Sequence, residues 1–290
     1  MTRNIENIFE PPPHHWVGNG FRVHNFFPGG PRIGLKRMSP FFLCDYNSKH
    51  TFPPSNVPRG VGSHPHRGIE TVTIAYHGKV AHHDSVGNSG IIGENDVQWM
   101  TAGGGILHKE YHENEFNNKG GLFQMVQLWT NLPAKHKMTP AKYQDLLYRD
   151  AAIFNSDNRK VSMNIIAGEY KNIGGKADIL MPLNLFDLSL ASNSSVEFNF
   201  DPKHNTGFLV IEGNVRVNDR NDVPEDNFIL FKNEPGRIVI KANKNSKVLI
   251  MNGEPIDEPI APYGPFVMNT QDEIQQAIED FNNGKFGHLD

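Results

Sequence analysis

Short runs of β-branched and aromatic residues, separated by glycine, proline and polar residues, recur along most of the 290-residue chain. Such runs are typical of strands joined by turns, because β-branched and aromatic side chains favour a pleated backbone whereas Gly and Pro interrupt it. The pattern predicts strands at 69–76, 97–100, 122–130, 186–190, 208–217, 228–231, 237–240 and 247–251. The chain is therefore expected to be all-β.

One segment near the end of the chain has a helical period instead. Thr270 and Glu273 fit a capping box, in which each side chain accepts a hydrogen bond from the other residue's backbone N–H. The apolar residues that follow fall at i, i+3, i+4 and i+7: Ile274, Ala277, Ile278 and Phe281. Gly284 then stands where the helix should stop. The pattern predicts a short C-terminal helix with one buried face.

The two halves of the chain resemble diverged copies of one unit. TIAYHGKV at 73–80 aligns with FLVIEGNV at 208–215, and apolar runs follow in both halves, VQWM in the first and FILF in the second. Such self-similarity predicts two tandem β-barrels, whose closure removes exposed strand edges. We place the first barrel over 1–140 and the second, with the terminal helix, over 141–290. The polar segment 140–154 is the expected connection.

Composition and charge narrow the possible partners. With 38% hydrophobic and 21% charged residues, the chain is expected to fold into packed domains. The net charge of -4 predicts no direct nucleic-acid binding, which requires basic surface. No secretory signal or membrane span is recognisable, and the single cysteine, Cys44, suits a reducing compartment and a buried position. We therefore expect a cytoplasmic protein without a membrane partner, and a monomer, because the duplicated barrel already covers sheet surface.

Histidines and acids at alternate positions mark a candidate metal site. His64, His66 and Glu70 lie in GSHPHRGIETVTIAY, and His108 and Glu110 lie in AGGGILHKEYH. Alternate residues of a strand face the same side, so each set is expected to point into the first barrel. If the two strands are neighbours, their inward faces meet.

The donor types indicate which metal fits. Three neutral imidazoles and one carboxylate suit a borderline divalent ion and leave up to two positions open on an octahedral metal. Zinc accepts the same donors but prefers four-coordinate geometry and has no redox chemistry, so iron is favoured if the reaction involves O₂. A lone histidine is more often structural than a ligand, whereas this repeated spacing rarely arises by accident. We predict one iron ion held by His64, His66, His108 and Glu110, with Glu70 as a hydrogen-bonding partner of the ligands.

The second half lacks these residues, and the remaining histidines are expected to be structural or exposed. The positions aligned with the candidate site residues are Asn199, Asp201, Asn205, Val239 and Lys241. The second barrel is therefore predicted to have lost its ligands. Histidines in polar or turn-like contexts are expected to be exposed: His14, His15, His77, His82, His83, His112 and His136.

Three segments carry a family resemblance. HPHRGIETVT, GNSGIIGENDVQWMTAGGGILHKE and APYGPFVMNTQDEIQQAIEDFNNGKFG are similar to the pirins, a branch of the cupin superfamily. The resemblance implies two tandem cupin (jelly-roll) barrels with one iron ion in the first, held by three histidines and one glutamate. Transferred motif by motif, these ligands are His64, His66, His108 and Glu110. Glu70 takes the acid position that binds metal in many other cupins but not in pirins.

The resemblance also implies a function. It indicates an oxygenase resembling quercetin 2,3-dioxygenase, with a flavonol or similar small aromatic substrate. Iron would polarise the substrate as a Lewis acid, and Glu110 or Glu70 would take its hydroxyl proton as a general base. The alternative is an iron-dependent redox-sensing co-regulator that binds a protein partner, as some pirins do. A metal-dependent isomerase or hydrolase, marked by tightly bound zinc, is a third interpretation.

Overall fold

A computed structural model describes residues 1–29 and 33–290, and strands dominate it. Within the described residues there are two α-helices, α1 (Asn114–Lys119) and α2 (Gln271–Asn282), and none is long and apolar enough to cross a membrane. The strands up to residue 146 are β1 (Ile5–Phe9), β2 (His15–Val17), β3 (Phe21–Phe27), β4 (Phe41–Phe52), β5 (Gly60–His66), β6 (Ile69–His77), β7 (Val80–Asp84), β8 (Ser89–Ile92), β9 (Val97–Thr101), β10 (Ile106–His112), β11 (Gly121–Asn131) and β12 (Lys142–Leu146). The later strands are β13 (Ile153–Asn155), β14 (Val161–Ala167), β15 (Glu169–Tyr170), β16 (Ile173–Gly174), β17 (Leu183–Leu190), β18 (Ser195–Phe198), β19 (Asn205–Glu212), β20 (Asn214–Val217), β21 (Asn221–Pro224), β22 (Phe228–Phe231), β23 (Ile238–Ala242), β24 (Ser246–Gly253), β25 (Ala261–Tyr263) and β26 (Phe266–Met268).

The first barrel consists of two facing sheets. In the described part of the chain, one sheet has the strand order β12-β9-β6-β11-β4-β3-β2 and the other the order β5-β10-β7-β8. One apolar cluster contains side chains from both sheets, so the sheets pack face to face as in a jelly roll. The members of that cluster include Phe21, Ala75, Val80, Ile92 and Phe123.

The second barrel repeats this plan. Its sheets, over the residues described, have the orders β1-β22-β19-β24-β17-β14-β13 and β18-β23-β20-β21. Strands β18 to β24 thus take the same places as β5 to β11. Apolar side chains fill the interior, among them Phe186, Phe198, Phe208, Phe231 and Ile250. The predicted all-β fold of two tandem jelly-roll barrels with a short C-terminal helix is confirmed.

The compact units of the structure are interleaved along the chain, whereas the predicted halves are contiguous. One unit comprises Met1–Pro12, Phe26–Pro40 and Arg149–Pro255. The other comprises Pro13–Asn25, Phe41–Tyr148 and Ile256–Asp290. The difference has a physical reason: β1 pairs with β22, and β12 pairs with β9, so each takes up backbone N–H and C=O groups that an edge strand would expose.

The C-terminal helix begins as the sequence predicts. The Thr270 side chain accepts from the backbone of Glu273, and the Glu273 side chain accepts from the backbone of Thr270. Ile274 and Ala277 are buried on the predicted face. The helix lies in the unit that contains the first barrel, where these side chains pack with the β25–β26 hairpin.

The end of this helix differs from the apolar pattern. Phe281 is 38% exposed, although its spacing predicted burial. Asp280 is buried instead, because its Oδ2 lies 2.9 Å from Nη2 of the buried Arg67. Lys285 Nζ and Gln276 Nε2 also donate to Asp280 Oδ1. An ion pair therefore forms part of the face that holds the helix.

We expect Asp280→Asn to lower the melting temperature at neutral pH by an amount that shrinks as the pH falls. The hydrogen bonds from Lys285 and Arg67 hold the pKa of Asp280 well below its usual range. A carboxyl whose folded-state pKa is depressed stabilises the fold fully above its unfolded-chain pKa, and that stability is lost as pH falls toward the folded-state value. Thermal melts at several pH values between about 5 and about 2 check this. Asp257→Asn, which changes an exposed aspartate outside the helices, is the control. A wild-type-minus-variant difference for Asp280→Asn that is constant over this range contradicts the expectation.

Candidate metal centre

Two neighbouring strands of the first barrel carry the four predicted ligands. His64 and His66 lie on β5, and His108 and Glu110 lie on β10. These strands pair antiparallel with His108 opposite His64, and the register shifts between His108 and Glu110. The condition on which the predicted site depended, that the two strands are neighbours, is therefore met in the sheet.

The three histidines of this set converge. His64, His66 and His108 each offer a ring nitrogen, and these atoms lie within 4.8 Å of one another. The ring centroids are 4.3 Å apart for His64 and His108, 4.9 Å for His66 and His108, and 5.0 Å for His64 and His66. His66 and His108 are buried, and His64 is half-buried at the edge of the cavity. The arrangement is compact enough for one metal ion to reach all three rings.

Each of these rings uses Nδ1 for a contact away from the cluster. His64 Nδ1 lies 2.8 Å from the Gly62 carbonyl oxygen, and His66 Nδ1 lies 3.2 Å from the Pro265 carbonyl oxygen. Because a carbonyl only accepts, both Nδ1 atoms carry the hydrogen and both Nε2 atoms keep a lone pair. In His108, Nδ1 faces a fourth imidazole, and the buried Nε2 has no hydrogen-bond partner among the described residues. An unpaired buried nitrogen is costly, and a metal ion would satisfy it, so the donor set fits such an ion.

Burial keeps two of these imidazoles neutral. It lowers the pKa of His66 to about 3, helped by the neighbouring His64 and opposed by the hydrogen bond to Pro265. Burial also lowers the pKa of His108 well below its ordinary value, and the nearby His64, His66 and His82 add to the shift. Neutral imidazole is the form that coordinates metal ions.

Glu110 stands beside the three histidines rather than within their group. It lines the same cavity, but its carboxylate is outside the set of atoms that meet within 4.8 Å. Thr73 Oγ1 donates to Glu110 Oε1 at 2.9 Å, and Gln98 Nε2 donates to the same oxygen. Since both bonds use Oε1, Oε2 is the oxygen that can serve as a ligand.

Glu70 lies in the wall of the barrel. The extended run from His64 is interrupted at Gly68, whose φ of +81° is in the left-handed region, so β5 and β6 join different sheets. The predicted alternation therefore does not extend to Glu70. Thr101 Oγ1 donates to Glu70 Oε1 at 2.7 Å, and Thr130 Oγ1 donates to Oε2 at 3.2 Å. Glu70 is outside the histidine group and does not line the cavity.

His64 and His66 open onto a cavity between the two sheets of the first barrel, whereas His108 lies behind them, outside its lining. The empty space between its lining atoms is about 430 Å³, a figure that includes open solvent at its mouth. Its apolar lining consists of Val17, Phe21, Val23, Val61, Met125 and Trp129, and its polar lining of Asp45, His64, His66, Glu110 and Gln127. A cavity that combines apolar and aromatic walls with convergent polar groups is typical of a site for a small organic ligand.

Asp45 is a cavity residue that the sequence analysis did not identify. It lies on β4, in the sheet opposite β5 and β10, and accepts a hydrogen bond of 2.7 Å from Asn25 Nδ2. Burial raises the pKa of this carboxyl, although the bond from Asn25 opposes the shift. In the sequence it is a single acid in the apolar stretch PFFLCDY, which gives no signal of a site.

Two histidines predicted to be exposed are buried, and that prediction is wrong for them. His82 is 0% exposed and His112 is 1% exposed. His112 Nε2 lies 2.8 Å from the Gly20 carbonyl oxygen, and its ring packs against Phe52 and Phe123. His82 contacts His108. Both follow strand alternation, because His112 shares a face of β10 with His108 and His82 shares a face of β7 with Asp84. This spacing indicates burial, but the polar sequence context favoured exposure.

Comparisons with known proteins agree with this architecture. The pirin family model matches residues 20–130, and the model of the pirin C-terminal cupin domain matches residues 185–287. A crystal structure of quercetin 2,3-dioxygenase from Acinetobacter baumannii is 44% identical, covers 100% of both chains and has a TM-score of 0.92. A Pseudomonas aeruginosa relative, named provisionally as a quercetin 2,3-dioxygenase, is 44% identical over 98% of each chain.

A more distant structure shares the fold. A bacterial pirin from Escherichia coli, in complex with nickel(II), covers 86% of this chain and 100% of its own, with a TM-score of 0.66. Its identity is 18%, so this likeness concerns the fold alone. The two family models and the relatives at 44% identity establish the resemblance first suggested by three sequence segments. The chain belongs to the pirin family, whose N-terminal and C-terminal cupin domains it carries in order.

Proposed function

We propose that the protein holds one iron ion in its first barrel and acts as an oxygenase of the quercetin 2,3-dioxygenase type. Its substrate would be a flavonol or a similar small aromatic molecule. The observation that carries the proposal is the convergence of His64, His66 and His108 on one point beside Glu110. Relatives at 44% identity that bear the quercetin 2,3-dioxygenase name support it.

The residues that would hold the metal are the three histidines, through Nε2, and Glu110, through its carboxylate. Imidazole and carboxylate donors accept several divalent ions, and iron is proposed because such donors with open coordination positions are typical of non-haem iron oxygenases. When bound, the ion would supply Lewis-acid polarisation of the substrate and the capacity to exchange electrons with O₂.

The cavity side chains determine how a substrate lies. Phe21 and Trp129 offer aromatic surface to a flat ring, and the apolar lining excludes water from it. Glu110 is the carboxylate placed to take a hydroxyl proton from the bound molecule, because it faces the cavity while Thr73 and Gln98 fix its orientation.

Glu70, the other candidate catalytic carboxylate, has a different role in this proposal. It bonds Thr101 on β9 and Thr130 on β11, the two strands that flank its own strand β6. It therefore supports the sheet opposite the ligands. We keep Glu110 as the proton acceptor.

Oxygen uptake tests the proposal directly. Protein loaded with Fe²⁺ without oxygen and then mixed with quercetin in aerated buffer should consume O₂ as the flavonol absorbance disappears. His66→Ala should abolish both signals, whereas His288→Ala, which changes an exposed histidine, should leave them intact. Uptake no greater than that of His66→Ala would remove the oxygenase assignment. Iron binding without turnover would favour the redox-sensing co-regulator with a protein partner.

The proposal includes a cytoplasmic monomer. Cys44 is fully buried, and burial raises the pKa of its thiol well above the usual range, so it is an inert apolar side chain. A single unreactive thiol suits a reducing compartment.

A further inference from the structure

Buried polar groups continue from His108 away from the cavity. Strand β7 pairs with β10 on the side opposite β5 and places His82 and Asp84 next to the candidate site. His82 is 0% exposed and Asp84 is 4% exposed. Neither belongs to the predicted ligand set. Buried polar side chains normally have hydrogen-bond partners, so the contacts of His82 and Asp84 define what these two residues hold in place.

The contacts form a chain of three side chains. His108 Nδ1 lies 3.4 Å from His82 Nδ1, and His82 Nε2 lies 3.3 Å from Asp84 Oδ2. Asp84 is itself fixed: its Oδ1 accepts from the backbone N–H of Val86 and Asn88, and its Oδ2 accepts from Asn88 Nδ2 at 2.9 Å. Asp84 therefore holds the outer end of this series of hydrogen-bonded side chains in place.

A second contact fixes the plane of the middle ring. Tyr143 stacks on His82 with the centroids 4.5 Å apart and the planes 14° from parallel. Tyr143 is held by donating its hydroxyl hydrogen to Asp145 Oδ1 at 2.7 Å. These contacts hold the plane of the His82 ring beside His108.

The hydrogen positions follow from the donor types. A carboxylate only accepts, so His82 Nε2 donates to Asp84, and in the tautomer with the ring hydrogen on Nε2 the Nδ1 atom of His82 is an acceptor. That acceptor takes the hydrogen of His108 Nδ1, which leaves the lone pair of His108 on Nε2. Nε2 is the buried atom without a partner among the described residues. His64 and His66 reach the same state through main-chain carbonyls, whereas His108 depends on side chains.

We propose that Asp84 and His82 are positioning residues that hold His108 in the tautomer and orientation needed to bind a divalent metal ion through Nε2. The inference rests on the proposed metal centre. It assigns a role to two residues that would contact neither the metal nor the substrate. Outer partners of this kind typically change metal affinity by about 10- to 100-fold.

Titration of metal-free protein with Co²⁺, followed by its visible absorption bands, tests this. His82→Phe removes both hydrogen bonds and should raise the Kd by about 10- to 100-fold. His82→Asn offers an amide oxygen near the position of Nδ1 and should recover much of the loss. Asp84→Asn can donate to His82, which reverses the preferred tautomers and should weaken binding as His82→Phe does. His83→Phe, on the outward side of the same strand, should bind Co²⁺ like the wild type.

Melting temperatures of the metal-free variants separate positioning from folding. A folded His82→Phe with the wild-type Kd overturns the positioning role and leaves the metal centre intact. Should His82→Phe fail to fold, the isosteric Asp84→Asn decides, and a wild-type Kd there has the same meaning. Wild-type protein that does not bind Co²⁺ removes the proposed metal centre and the inference with it. Recovery by His82→Asn supports the role, since a space-filling residue would not need an acceptor.

Discussion

His108→Ala should lower the affinity of the protein for a divalent metal ion by about 60- to 700-fold. Its ring is completely buried and lies close to both other histidines, and its Nε2 has no hydrogen-bond partner among the described residues. Four protein ligands typically contribute about 10–16 kcal/mol to a zinc site, so one ligand is worth about 2.5–4 kcal/mol. Because about 1.4 kcal/mol is tenfold in affinity, this loss gives the stated range. Metal content after loading and dialysis, and Kd by chelator competition, measure it.

His112→Ala is the matched control for that experiment. His112 is also a buried histidine on β10, on the same side of the strand as His108. Its Nε2 faces the Gly20 carbonyl oxygen, however, and aromatic rings surround it. The variant should lose stability and keep wild-type metal stoichiometry. Wild-type metal content in His108→Ala, or metal loss in a folded His112→Ala, would contradict the ligand assignment.

The histidine cluster was predictable because one rule, strand alternation, governs most of it. The prediction required that His64 and His66 on β5 face the same side as His108 on β10, and that these two strands be neighbours in the sheet. The structure meets both conditions. Strand alternation also predicted that Glu70 shares the face of His64 and His66, and this is wrong. Gly68 ends the strand with a left-handed turn, and the chain then enters the other sheet. A glycine in a sequence permits such a turn without requiring it.

Burial of individual polar residues was harder to predict. The context of His82, AHHDS, is polar and reads as a turn, yet β7 is an inner strand of its sheet with His82 and Asp84 facing inward. Which strands flank a segment is a tertiary property, and it determined the burial of these residues. The position of Asp45 is also determined by its tertiary surroundings, since nothing in its apolar sequence context indicates that it faces a cavity.

Two features of the strand arrangement differ from what the sequence predicts. The predicted run 208–217 is two strands, β19 and β20, because the chain turns at Gly213. The segment IENIF at 5–9 has no regular alternation of apolar and polar residues, and nothing in it specifies its partner β22, more than two hundred residues later. A short segment does not show in its own sequence which distant strand it will pair with. The capping box of α2, in contrast, depends on two residues three positions apart and was predicted correctly.

The C-terminal segment contributes to the candidate site in its own unit. The carbonyl of Pro265, between β25 and β26, fixes the tautomer of His66, and Arg67 forms the ion pair with Asp280 on α2. The turn after His66 is held in addition by Lys137. Residues far apart in sequence thus support one ligand, and a change at Lys137 should affect both stability and metal binding.

Lys137→Met should lower the free energy of unfolding by about 3 kcal/mol. Lys137 is 2% exposed, and its ammonium group donates to the Gly68 carbonyl at 2.9 Å, to Asn131 Oδ1 and to the Val267 carbonyl. These bonds use all three ammonium hydrogens. Methionine fills similar space but leaves three buried acceptors without this donor, at about 1 kcal/mol or more for each. Burial lowers the pKa of Lys137 to about 7, against the influence of Glu258 and Glu273. Urea denaturation is therefore measured near pH 6, where the variant is compared with wild-type protein that carries Lys137 as an ammonium group.

The exposed Lys135→Met, two residues away, provides the control and should change stability by less than about 0.5 kcal/mol. The loss in Lys137→Met should extend to metal affinity, because the carbonyls of Gly68 and Val267 belong to the turn and the hairpin that orient His66. Equal stability of the two variants would show that the three acceptors find other partners. Reduced stability with unchanged metal affinity would instead show that the Pro265 contact alone suffices to orient His66, and would separate the support of the fold from the support of the ligand.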